Sequence, residues 1–295
     1  MKRLDKILVA CDSLLGIQRA LEKAAYLEHY TGCEIHVLDV IWDEVEHEAL
    51  PDHIKIELKE GLLAGERHDL EKALERIKNR VASLTHSVIW QKDAERPILD
   101  HIKQDDIDLL IVPVSSHGIS DRVLAPLDWK LIRKAWCPVV VSRSDLKWEN
   151  SQRVLAAVDT GDLRQDDLNQ ELAETGKFFS GLLNAELHLL SVHPSLDFTF
   201  DLKRGPVAFD EIRTAMHDAR EIGMRELLCD AESGKTHVVE GKANIEIAEL
   251  ANKLDAALTL IGTHGRHGIG KWVLGNTSEA TMNRLQGDVL VVREC

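Results

Sequence analysis

Toward its carboxyl end the chain reads Gly262-Thr263-His264-Gly265, then nine residues, then Gly275-Asn276-Thr277 at the start of an amphipathic stretch. Glycines at this spacing permit positive φ and bring main-chain amides close to an anion. The first turn of a following helix adds unpaired N–H donors and a partial positive charge. Together these make a phosphate cradle that needs no Lys or Arg. The spacing is not G-x-x-x-x-G-K-[ST], so a conventional P-loop is not supported, and it is not a G-x-G-x-x-G behind a first strand. A second reactive group is Asp159, which closes the apolar run 153–158, as Asp12 closes the run 6–11. Asp also ends strands for purely conformational reasons, so a turn without a ligand is the alternative for both. The same alternative holds for the glycines.

Other side chains carry weaker chemistry. His264-x-x-His267 has a spacing compatible with two zinc ligands, and His117 stands in the matching place of the first half. No Cys or carboxylate at a matching spacing completes a site in that loop, so the expectation is loop histidines and no metal. There is no G-x-S-x-G, no motif-level Cys–His pairing and no recognisable carboxylate pair. Turnover is therefore not indicated, and weak ATP hydrolysis is the least favoured reading.

The elements that must position these groups come as two copies of one plan. The run Lys6-Ile7-Leu8-Val9-Ala10-Cys11-Asp12 returns at Arg153-Val154-Leu155-Ala156-Ala157-Val158-Asp159, and residues 111–143 lie over 261–293 without a gap. Strands are expected at 6–12, 33–41, 86–91, 108–114 and 138–143, then at 153–159, 185–193, 236–240, 257–262 and 287–293. Their near-continuous Val, Ile and Leu content suits parallel strands buried on both faces. Helical stretches such as 16–30 and 62–83 alternate with them, which predicts right-handed crossovers and a doubly wound sheet in each half. The fold class is α/β, with domains at 1–148 and 149–295 joined at 148–151. Ligands in such sheets bind outside the carboxyl ends of the strands where strand order reverses, which brings the Asp and the glycine segment together.

Composition narrows the function classes. Of 295 residues 44% are apolar, and 36 basic face 50 acidic side chains for a formal charge of −14. A net anion gains no counterion-release energy from nucleic-acid phosphates, so a direct nucleic-acid partner is not expected. No window approaches the ~18 to 20 apolar residues of a membrane span. The five cysteines are odd in number and never form C-x-x-C. The expectation is a soluble, reduced, cytoplasmic protein.

The strand-end Asp159, the pattern G-x2-G-x9-G from Gly262 through Gly265 to Gly275, and the closing strand 288–293 resemble the universal stress protein family in its tandem form. The likeness spans essentially the whole chain and is greatest to the branch called type E in enteric bacteria, where Asn-Thr follows the third glycine. The resemblance implies two Rossmann-like domains of the adenine nucleotide alpha hydrolase-like kind. It implies an adenine nucleotide such as ATP, with Mg²⁺, at Asp159, Val192, Gly262, Gly265, Gly275, Asn276 and Thr277 in the second domain. The family has Ser or Thr where this chain has Asn276, which puts phosphate or Mg²⁺ contact there in question. It also implies an internal pseudo-dimer through 138–143 and 287–293, while further assembly into a homodimer is left open by the sequence.

The first half departs from the pattern. Val112 stands for Gly262, Ser115 for Gly265 and Ala125 for Gly275, and Pro126 removes the donor that Asn276 offers. The phosphate site is expected to be lost there, and Asp12 alone does not restore it. All five phenylalanines lie between 178 and 209. Phe178 and Phe179 are expected to face the core, and Phe198, Phe200 and Phe209 to lie in a connector at 194–211. The acidic connector 42–60 reads as a solvated flank. The leading function is thus a stress-response sensor or scaffold that binds a small phosphorylated ligand in its second domain. Two alternatives stay open: an adaptor working through protein contacts without nucleotide, and a carrier of an apolar or lipid-like molecule at the 198–209 connector.

Overall fold

The computed structural model describes residues 3–114, 126–145, 147–150, 152–195, 209–228, 234–263 and 276–293. The first repeat runs β1 (Lys6–Cys11), α1 (Ile17–Thr31), β2 (Glu34–Ile41), α2 (Asp52–Lys78), β3 (Leu84–Trp90), α3 (Glu95–Gln104), β4 (Leu109–Pro113), α4 (Pro126–Lys134) and β5 (Val139–Ser142). The second runs β6 (Arg153–Ala157), α5 (Asp166–Leu183), β7 (Glu186–His193), α6 (Phe209–Leu228), β8 (Gly234–Glu240), α7 (Ala243–Lys253), β9 (Leu258–Thr263), α8 (Asn276–Met282) and β10 (Asp288–Arg293). Within the first repeat parallel pairing gives the order β3-β2-β1-β4-β5. Within the second it gives β8-β7-β6-β9-β10. The chain leaves the first strand of each repeat on one side and returns on the other. The reversal therefore lies between β1 and β4, and again between β6 and β9.

Sequence and burial agree on why these segments are strands. Every residue of β4 and β10 is buried, as are the last five of β1, which is the cost-free place for unbroken aliphatic runs. The edge strands β3 and β8 are only half covered and carry polar residues such as Thr85, Ser87, Lys235 and His237. The helices α1 and α5 both end in a left-handed residue, Gly32 at φ 71° and Asn184 at φ 48°. Aligned on these caps their buried positions coincide: Ile17 with Asn169, Ala20 with Leu172, Ala24 with Gly176 and Leu27 with Phe179.

Three expectations need correction. Residues 42–60 are not one solvated connector, because a 3₁₀ turn at Glu44–His47 is followed by α2 from Asp52. That helix buries only Leu70, Leu74 and Ile77, so its first two thirds, rich in helix-forming Glu, Lys and Leu, show no apolar stripe to reveal it. The helix also stops at Lys78 and not at 83. Phe209 is not in a connector but opens α6, while Phe198 and Phe200 lie outside the described residues. Of the helical pair, Phe179 is fully buried and Phe178 half-buried, packed edge-on at 5.5 Å between ring centroids. Trp148 packs with the second repeat, so that compact unit includes it. Cys11, Cys33 and Cys137 are buried and form no disulfide. Burial pushes the Cys33 thiol up to about 11 and raises that of Cys11 as well, which suppresses thiolate chemistry.

Candidate functional site

A cavity of about 410 Å³ opens at the carboxyl end of the second repeat's strands, where strand order reverses. Its walls are apolar: Leu168 and Leu172 from α5, Leu190 and Val192 from β7, Ile247 from α7 and Ile261 from β9. Polar groups gather at Asp159, Gln165 and Asn169 on one side and at Thr277, Ser278 and Thr281 of α8 on the other. The size falls in the range of roughly 300–1,000 Å³ usual for small-molecule sites.

Asp159 is held at the rim by local bonds. Val158 N–H donates to Leu190 O at 2.9 Å, which prolongs the β6–β7 ladder by one residue. Asn169, buried on α5, then stands in for a strand partner. Its Oδ1 accepts from Asp159 N–H at 2.9 Å and its Nδ2 donates to Asp159 O at 3.0 Å. Gly161 N–H donates to Asp159 Oδ1 at 3.2 Å. The carboxylate is thereby aimed while its residue remains exposed. On the opposite wall Ser278 Oγ donates to Gly262 O at 3.2 Å, and Thr281 Oγ1 donates to Thr277 O at 2.7 Å. With those protons committed, both oxygens present lone pairs. Among the described residues no Lys, Arg or His lines the cavity.

Gly262 sits within β9, opposite Val292 of β10, and its lack of a side chain is used for packing. A Cβ there would lie 2.6 Å from Leu168 Cδ2 and 3.2 Å from Leu172 Cδ1. In the first repeat the relation is reversed. Val112, buried, fills the strand position, while Gly16, just before α1, and Ala20 within it stand where α5 carries Leu168 and Leu172. The strand glycine and the helix leucines are thus a volume-conserving pair. Gly262→Val is expected to lower stability in urea denaturation by about 1–2 kcal/mol, with partial recovery on adding Leu168→Ala. A Gly262→Val protein as stable as wild type would contradict this.

The first repeat's carboxyl edge is chemically different. Arg19 Nη2 donates to Val114 O at 2.7 Å just beyond β4, and Nη1 pairs with Asp145 at 3.3 Å. The ends of β1 and β2 add Asp12 and the fully buried Asp39, whose Oδ1 accepts from the Cys11 thiol at 3.5 Å. Burial, and next the negative Glu66, push Asp39 up to about 7. An edge so rich in carboxylates disfavours an anion.

Of the residues singled out in the sequence, Asp159, Val192, Gly262 and Thr277 line the one cavity. Asn276 opens α8. Gly265, Gly275, His264 and His267 lie outside the described residues. Among the described residues no group of three His, Cys, Asp or Glu is arranged to hold a metal, and no helix is long and apolar enough to cross a membrane. Asn169, Gln165, Ile247, Ser278 and Thr281 escaped sequence reasoning. Only Asn169 left a signal, a lone amide on the buried stripe of α5.

The model of the universal stress protein family matches residues 3–143 and 150–293. The chain is 26% identical to the universal stress protein E homolog of Haemophilus influenzae, over 99% of this chain and 98% of that protein. It is 25% identical to universal stress protein E of Escherichia coli, over 99% and 95%. Among solved structures, a functionally unknown protein from Pseudomonas aeruginosa superposes with a TM-score of 0.72 at 27% identity, covering 99% of this chain and 94% of that one. A universal stress protein from Archaeoglobus fulgidus shares the fold with a TM-score of 0.69 at 17% identity, over 98% of both chains.

Proposed function

Since the chain belongs to the universal stress protein family, we propose that it acts as a non-enzymatic stress-response sensor or scaffold whose second repeat binds an adenine nucleotide or another small phosphorylated ligand. The observation that carries this reading is the convergence of Asp159, Val192, Gly262 and Thr277 on a single cavity at the strand-order reversal. The apolar walls suit a flat heterocycle, and Asp159 with the lone pairs of Ser278 and Thr281 suits its N–H and ribose O–H donors. Among the described lining residues a phosphate deep inside would meet a carboxylate and no cation, so phosphates belong at the mouth of the cavity. Asp159 is the one carboxylate among the described lining residues, so Mg²⁺ would arrive on the phosphates. Binding stabilises the liganded conformation alone, and the shift in population is the signal passed to partners.

Thermal denaturation with ATP, AMP and Mg²⁺ tests the reading. At a ligand concentration of a hundred times Kd the gain is about 2.7 kcal/mol, a rise in Tm of several degrees. Ile247→Trp, which fills the cavity, is expected to abolish that rise. Absence of any rise in the wild type removes the nucleotide and leaves the adaptor working through protein contacts.

A further inference from the structure

Among the described residues one cation next to the cavity rim has no counter-charge. Arg220, on α6, is 9% exposed. Its Nη1 donates to Met216 O at 3.3 Å, its Nε is buried without a partner, and it pairs with no carboxylate among the described residues. The guanidinium lies against the turn that follows Asp159. A Cβ at Gly161 would stand 2.1 Å from Nη2 and 2.4 Å from Cζ, so only glycine admits it. The helix is fixed in this place from both sides. Thr160 Oγ1 donates to Arg220 O at 3.2 Å, and Gly223 leaves room for the Thr160 side chain. A buried charge without a partner is costly, and the cost is recovered when an anion arrives. A planar guanidinium with a free Nε is shaped to meet two oxygens at once.

We propose that Arg220 and the Gly161 turn form an anion subsite beside the cavity, which takes a phosphate group of the ligand that Asp159 helps to hold. The subsite itself stands on the geometry of Arg220. That its phosphate belongs to a nucleotide rests on the function proposed above. Only Thr160 separates Gly161 from Asp159, so a ligand crossing the rim reaches both. This also resolves a charge problem, because the described residues of the cavity lining supply no basic side chain.

The test compares wild type, Arg220→Met and Gly161→Ala. The first variant keeps the apolar stem and removes the charge. The second keeps the charge and displaces it by steric contact, so a folding defect in one does not remove the other. The first probe is inorganic phosphate at constant ionic strength, with chloride as the reference. Phosphate should raise the wild-type Tm above the chloride value, and both variants should lose that difference. A wild type indifferent to phosphate, or variants that keep the difference, overturns the subsite. The second probe is calorimetric titration with AMP and with adenosine. Arg220→Met should weaken AMP about tenfold and leave adenosine within about twofold. A phosphate effect lost in both variants, with AMP binding no better than adenosine in the wild type, upholds the subsite and removes the nucleotide reading.

Discussion

Trp148→Ala is expected to cost the second repeat about 3–5 kcal/mol of stability, the range for emptying the space of a fully buried large aromatic side chain. The indole is 2% exposed although it sits at the junction between the repeats. Its Nε1 donates to Asp288 Oδ2 at 2.8 Å, and Asp288 is the wholly buried first residue of β10. Its ring meets Phe179 of α5 edge-to-face at 6.3 Å and 86°. One side chain therefore ties the entry of the repeat to its last strand and its first helix. Trp148→Phe keeps the aromatic contact but withdraws a donor from a buried carboxylate, and should cost about 1–3 kcal/mol. Urea denaturation gives the order, and hydrogen exchange should place the loss in residues 152–293 with β1 to β5 unaffected. Equal stability of Trp148→Ala and wild type would sink this account.

The second large effect is one of pH. Asp39 titrates near 7 in the folded chain, raised first by burial and next by Glu66, against a value of 3.8 for the free group. Between those two values the folded state holds a proton that the unfolded state has lost. The contribution of Asp39 is therefore complete below about pH 4 and disappears as pH rises through 7. Asp39→Asn replaces the charge by a neutral amide of the same shape. Above pH 8 the variant should be more stable than wild type by about 2 kcal/mol, well below the full value of the shift because the buried charge draws in water. The advantage should vanish toward pH 4. Parallel stability curves for the two proteins from pH 4 to 9 would refute the assignment.

What sequence reasoning reached, and what it missed, divides along the range of the interactions. The duplication, the strands and the crevice follow from aliphatic runs and their repetition, which are local patterns. Asp159 was legible because a carboxylate ending a strand in a doubly wound sheet has few places to go. The front of α2 was hidden because exposed helix leaves no periodic trace. Asn169, Arg19, Asp39 and Arg220 act on groups far away in the chain: Arg19 on Val114 and Asp145, Arg220 on Gly161. None belongs to a motif, and each gains its meaning only from what it is packed against. Gly262 shows the opposite error of emphasis. Its place in a glycine pattern suggested an anion, while its missing methyl is also taken up by two leucines.

That last pairing limits how the two halves can be recombined. Transplanting β9 alone into the first repeat would set a bare strand against the small residues of α1 and leave a void. The reverse graft would drive a valine into Leu168. Chimeras should be cut so that β4 travels with α1, and β9 with α5. Laboratory shuffling of such tandem proteins then has a natural unit, a strand and the distant helix that shapes it, which is not contiguous in the gene.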